Sequence, residues 1–167
     1  MTIIEKLAFD CISRQGNSKP VRSDTHLKQL RGFLKDKIES SKNNKIISNI
    51  VSTKDNICRK NFDIVWRNQD GLHAVELKSI NGSAQKNINN RIEEMTGQSF
   101  NAKKIYGLKT FRYVFVDNCK MKENTKERLL VHAEQSIQEG YLDDISIFQT
   151  HDCQFYKTKS FECWNFN

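Results

Sequence analysis

The sequence is short of the residues that break or staple a chain. Its 167 residues include one proline, Pro20, and seven glycines, and no linker, internal repeat or low-complexity segment divides it. Five cysteines, Cys11, Cys58, Cys119, Cys153 and Cys163, are odd in number and form no CxxC pair. That scatter argues against a disulfide framework or a zinc site and predicts reduced, mostly buried thiols. No apolar run approaches the roughly 20 residues that cross a bilayer. The N-terminal MTIIEKLAFDCISR interrupts its apolar stretch with an acid and offers no small-residue cleavage site. It does not read as a signal peptide, so the expectation is a cytoplasmic protein with no membrane contact.

What is present suits one folded domain. Hydrophobic residues make up 37%, charged residues 28% and aromatic residues 10%. That is too apolar for disorder and enough for a buried core. The net charge of +7 is unevenly spread. Residues 123–167 hold four basic and eight acidic groups, which leaves 23 basic against 12 acidic in the first 122. Such an excess fits a polyanion partner, and equally a basic solvated surface.

Hydrophobic spacing orders the elements. Ile3, Ile4, Leu7, Ala8, Cys11 and Ile12 predict a short amphipathic helix over residues 2–14, broken by Gly16 and Pro20. Ser23 or Asp24 caps a second helix striped by Leu27, Leu30, Phe33, Leu34 and Ile38. Lys28, Arg31, Lys35 and Lys37 lie mostly off that stripe, as a solvated face or a face toward DNA. IISNIVS at 46–52 is ambiguous between helix and strand. Strands are predicted at 62–67 and 72–78, joined by NQDG, where Gly71 tolerates positive φ. A helix follows over 87–106, then a strand at 111–116, a helix over 123–138 and a strand at ISIFQT, with CQFYKT able to pair beside it. This order predicts an α/β domain, a mixed β-sheet flanked by helices on both faces, spanning residues 1–167. Its first 55 residues are expected to be mainly helical and 59–167 to form the core.

The hairpin holds the chemistry. Glu76 and Lys78 point to one side of their strand, with His73, Val75 and Leu77 on the other. Pairing about NQDG brings Asp63, at the start of the first strand, beside Glu76 and Lys78 at the end of the second. Two carboxylates that close repel unless a cation lies between them. Oxygen ligands suit Mg²⁺, which can polarise a scissile phosphate and activate a water. Lys78 would orient that water and stabilise charge on the phosphate, or act as a base if desolvation lowers its pKa. The bland alternative is a surface hairpin with an exposed Glu76–Lys78 face.

Two further stretches sharpen this reading. FD at 62–63 followed by VELK at 75–78 resembles the PD-(D/E)xK nuclease motif, with Phe62 in the place of the motif's proline. VELKSINGSAQKNINNRIEEMTGQ is similar to the region after the catalytic lysine of XhoI-like type II restriction endonucleases. The resemblance covers about residues 59–100 well, and the first 55 residues match nothing in it. It implies a PD-(D/E)xK restriction-endonuclease-like core with Asp63, Glu76 and Lys78 as the catalytic set. The implied cofactor is Mg²⁺, with Mn²⁺ able to substitute, held by Asp63, Glu76 and the Leu77 carbonyl. The implied activity is hydrolysis of both strands of duplex DNA at a specific site, leaving 5′-phosphate and 3′-hydroxyl ends. One site per chain then calls for a homodimer.

DNA contacts are expected from Ser79, Asn81, Lys86, Asn89, Asn90 and Arg91, with Glu94 supporting the metal site from behind. Asn89 or Asn90 also serves as a helix cap, and Glu93 and Glu94 offset the helix dipole. Lys86, Lys103, Lys104 and Lys109 are expected at phosphates. His73 is expected to be a core histidine and Trp66 a packing residue, while His26, His132 and His151 show no metal-ligand spacing. Trp164, in the aromatic FECWNFN tail, would pack on the body or on a partner subunit. Two rival expectations stand: a repair or junction-resolving nuclease, and a non-catalytic DNA-binding module.

Overall fold

The computed structural model describes residues 27–81, 84–149, 151 and 154–157. The expected helix at 2–14, the Pro20 break, the Ser23 or Asp24 cap, His26, Cys153 and the tail with Cys163 and Trp164 lie outside the described residues. The elements run α1 (Leu27–Glu39), β1 (Lys45–Ile46), β2 (Ile50–Ser52), β3 (Arg59–Asn61), β4 (Ile64–Asn68), β5 (Gly71–Ile80), α2 (Ala84–Lys104), β6 (Thr110–Asp117), α3 (Glu123–Gln138), β7 (Asp144–Gln149) and β8 (Gln154–Lys157).

Six strands form one sheet in the order β1-β4-β5-β6-β7-β8, and β2 pairs with β3 in a separate ribbon. β4 and β5 are antiparallel, β5, β6 and β7 are parallel, and β8 returns antiparallel to β7. The sheet is therefore mixed, as the element order predicts. The parallel pairs need crossovers, which α2 and α3 supply.

Alternation along the strands sends side chains to two cores. On one face, the α1 stripe Leu27, Leu30, Leu34 and Ile38 packs on Ile64, Trp66, Val75, Leu77, Val114, Val116 and Phe148. Each large side chain buried there is worth about 1.5–3 kcal/mol. On the other face, Ile88, Ile92, Met95 and Ala102 of α2 and Leu129 and Ala133 of α3 cover Val65, Ala74, Phe111, Tyr113, Phe115, Ile145 and Ile147. β1, drawn from the first 55 residues, extends the main sheet by pairing Ile46 with Trp66.

Several boundaries differ from the sequence-based expectation. The first hairpin strand begins at Ile64 rather than at residue 62. Just before it, the Asp63 side chain takes a hydrogen bond from the Leu77 amide at 2.8 Å, where a backbone partner would otherwise sit. IISNIVS resolves into the end of β1 and the whole of β2, because its apolar residues split between two short pairings. β3 (Arg59–Asn61), polar throughout, was not anticipated; it exists because β2 offers it a partner. The turn is a two-residue hairpin loop in which Asn68 pairs with Gly71, whose φ is +136°. Contrary to the expectation of mostly buried thiols, Cys58 is exposed; Cys119 is half-buried, and neither forms a disulfide. Among the described residues, no helix is long and apolar enough to cross a membrane.

Candidate active site

The hairpin register carries the site. Ile64 pairs with Val75, so the next position outward sets Asp63 opposite Glu76. The Asp63 amide donates to Glu76 Oε2 at 3.3 Å, and the Leu77 amide donates to Asp63 Oδ2 at 2.8 Å. Each acid is thus held by the other's strand. Glu76 and Lys78 share one face of β5 with Ala74, and the Lys78 ammonium lies 3.6 Å from Glu76 Oε1. The face is not the open surface of the bland alternative: α2 covers it, and Glu76 is only 4% exposed.

α2 completes the cluster. Glu94 Oε1 stands 3.1 Å from Lys78 Nζ, and Glu94 Oε2 accepts from Arg91 Nη1 at 2.8 Å. Gln98 Nε2 donates to Glu94 Oε1 at 3.4 Å, and the Tyr113 hydroxyl donates to Gln98 Oε1 at 2.9 Å. Positions 91, 94 and 98 lie on one helical face, so a single docking of α2 aligns the set. From the opposite face of the sheet, Arg31 of α1 donates from Nη2 to Asp63 Oδ1 at 2.7 Å.

The electrostatics follow from this crowding. Burial, reinforced by the Asp63 charge, pushes Glu76 up to about 7, and Lys60 and Lys78 offset only part of that. Burial works to lower the Lys78 ammonium, but the Glu94 hydrogen bond and the Glu76, Glu94 and Asp63 charges outweigh it and hold it above the ordinary lysine value. Glu94 is likewise penalised by burial, yet its bonds from Arg91 and Lys78 keep its carboxyl below the usual range. Tyr113 is pushed up by burial and the surrounding acids, so its hydroxyl stays a donor. These surroundings favour the protonated ammonium of Lys78.

Two adjacent carboxylates, one of them raised by burial and then by the other's charge, suit a hard divalent cation with oxygen ligands. No group of three or more His, Cys, Asp or Glu side chains able to hold a metal occurs among the described residues.

The other expected residues are spread more widely. Ser79 lies on the Leu77 side of β5, away from Glu76 and Lys78. Asn81 accepts from Asn118 Nδ2 at 3.1 Å. Asn89 accepts from Arg128 Nη2 at 2.5 Å, which ties α2 to α3, and Asn90 is exposed. The Lys86 side chain lies outside the described residues. Lys103, expected at a phosphate, instead pairs with Asp143 at 2.6 Å and donates to the Lys109 carbonyl at 2.7 Å. It closes the far end of α2 because Asp143 also receives the Phe111 amide there.

His73 is a core residue, stacked on Trp66 at 5.3 Å and bonded to Thr110 and Asn68 at 2.8 Å each. Burial and Arg112 lower its pKa, which favours the neutral ring.

Sequence reasoning missed Lys60, Gln98 and Tyr113, and saw Arg31 only as one helix base among four. Lys60 sits on the unanticipated β3, so nothing pointed to it. Gln98 could have been found, since it follows Glu94 at i+4.

No family model matches the chain, and no curated protein matches it. Among solved structures, that of Pyrococcus furiosus SfsA in complex with Ca²⁺ aligns at 13% identity and a TM-score of 0.36, covering 80% of this chain and 60% of that one. The chain thus spans about three-fifths of that neighbour's length, and the likeness is too slight to bear on the site.

Proposed function

We propose that the chain is a Mg²⁺-dependent endonuclease acting on duplex DNA, built on the PD-(D/E)xK plan and working as a type II restriction enzyme. The observation that carries this reading is the convergence of Asp63, Glu76 and Lys78 at one end of a hairpin, with the lysine held charged. Asp63, Glu76 and the Leu77 carbonyl would hold the ion. When bound, Mg²⁺ supplies charge neutralisation at the scissile phosphate and an activated water.

The chain's own residues do the rest. Lys78, kept protonated by Glu94 and Glu76, points its ammonium at charge building on the phosphate oxygens and helps to align the attacking water. Glu94 and Arg91 fix the lysine by a bonded chain that runs on through Gln98 to the buried Tyr113. Exposed bases in the strongly basic first 122 residues supply the long-range attraction for a polyanion. Cutting both strands of a two-fold target calls for a homodimer.

Plasmid incubated with the purified chain and Mg²⁺ tests the reading, with Lys78→Ala as the matched control. Discrete fragments from the wild type alone support a restriction enzyme. Structure-specific nicking points to a repair or junction-resolving nuclease. Tight binding with no cleavage at any Mg²⁺ or Mn²⁺ concentration overturns the enzymatic reading in favour of a binding module.

A further inference from the structure

We propose that Arg31 is the site's exchangeable counter-ion: it holds Asp63 in the absence of a divalent cation, yields the carboxylate when one binds, and turns its guanidinium to a phosphate of the DNA. This inference rests on the nuclease reading above.

Four observations lead to it. Arg31 Nη2 lies 2.7 Å from Asp63 Oδ1, while Oδ2 is taken by the Leu77 amide. The guanidinium thus occupies the oxygen that a cation would need. Two positive groups at one carboxylate oxygen compete, so ion binding and the Arg31 contact oppose each other. The pair is also 23% and 20% exposed, which leaves Arg31 room to swing without disturbing the α1 stripe. Lastly, Arg31 Nε is buried and has no hydrogen-bond partner. A guanidinium carries five donors in a planar fork, and a phosphate accepts two of them side by side. The present contact leaves that fork half used; a phosphate on the α1 side of the metal would complete it. A lysine would offer no such fork.

Calorimetric titration of Mn²⁺ into the DNA-free full chain tests the exchange. Arg31→Ala should bind Mn²⁺ about tenfold more tightly than the wild type, the order expected when one competing charge-assisted contact is removed. Arg31→Met, which keeps the apolar stem and loses the charge, should do the same and covers the case in which the alanine variant does not fold. Asp63→Asn should lose Mn²⁺ binding.

Duplex binding supplies the second readout. In a Lys78→Ala background loaded with Mn²⁺, adding Arg31→Ala should weaken binding and reduce the log–log salt slope by about one. A merely structural arginine would weaken the metal site when removed. Unchanged or weaker Mn²⁺ binding by both variants therefore overturns the inference while leaving a nuclease that cuts DNA intact. A wild-type chain that neither takes up Mn²⁺ nor cuts DNA sinks the nuclease reading and this inference together.

Discussion

Replacing Glu76 with glutamine should make the metal-free protein more stable at pH 8, although it destroys a residue of the proposed active site. Glu76 is almost wholly buried, and its pKa rises from an ordinary 4.5 to about 7. The folded state therefore binds the proton more tightly than the unfolded chain between those values. Stability from this group is greatest below about 4.5, declines as the pH climbs to about 7, and is level above. At about 1.4 kcal/mol for each tenfold, the ionised side chain costs the fold about 3 kcal/mol at pH 8. Glutamine has no charge to bury and keeps an oxygen for the Asp63 amide, but loses the attraction to Lys78 at 3.6 Å. The value of about 7 already includes that attraction, so a net gain of about 3 kcal/mol at pH 8 is expected.

The assay is urea unfolding of both proteins in EDTA at several pH values from 4.5 to 8, read as a difference so that other titrating groups cancel. The gap should open from near zero at the acid end. Mg²⁺ should then restore the wild type at pH 8 and leave Glu76→Gln unmoved. A difference that stays flat with pH, or a glutamine variant less stable than the wild type at pH 8 in EDTA, would refute the account of an unneutralised acid pair.

Glu94→Gln removes the carboxylate bonded to Lys78 at 3.1 Å, so the lysine should lose its proton at lower pH; the alkaline limb of a cleavage pH profile should shift down. Leu34→Ala, at a fully buried position of α1, should cost about 2–5 kcal/mol in urea unfolding and disturb the seat of Arg31 only secondarily. Gly71→Ala forces a side chain onto a φ of +136° and should cost about 1–3 kcal/mol, although the added carbon meets only Lys109 Cβ, at 3.6 Å.

The sequence was informative wherever one local rule governed the outcome. NQDG fixed the hairpin because only Gly71 accepts its backbone angle, and that turn then fixed which acid met which. Helix α3 was legible over its whole length, residues 123–138, from apolar spacing alone. The short pairings β1, β2 and β3 were not, since two- and three-residue strands carry no periodic signal and depend on a distant partner. The same distinction applies within the site. Asp63, Glu76 and Lys78 follow from strand parity. Arg31, 32 residues from Asp63, reaches it only through the docking of α1, which no spacing rule encodes. Lys103 looked like any other basic residue until Asp143 came beside it through the β6–β7 crossover.

The placement of both acids on a single hairpin has a kinetic consequence. A two-residue loop lets β4 and β5 zip within microseconds, long before α2 can return and dock. Asp63 and Glu76 are thus driven together while Glu94, Gln98 and Tyr113 are still far away along an unfolded chain. The nascent ribbon must close against its own repulsion, with Lys78 the one counter-charge travelling on the same two strands beside Glu76. Protons or dissolved divalent ions would ease that first step, so the acid pair that defines the candidate site also bears on how the hairpin is reached.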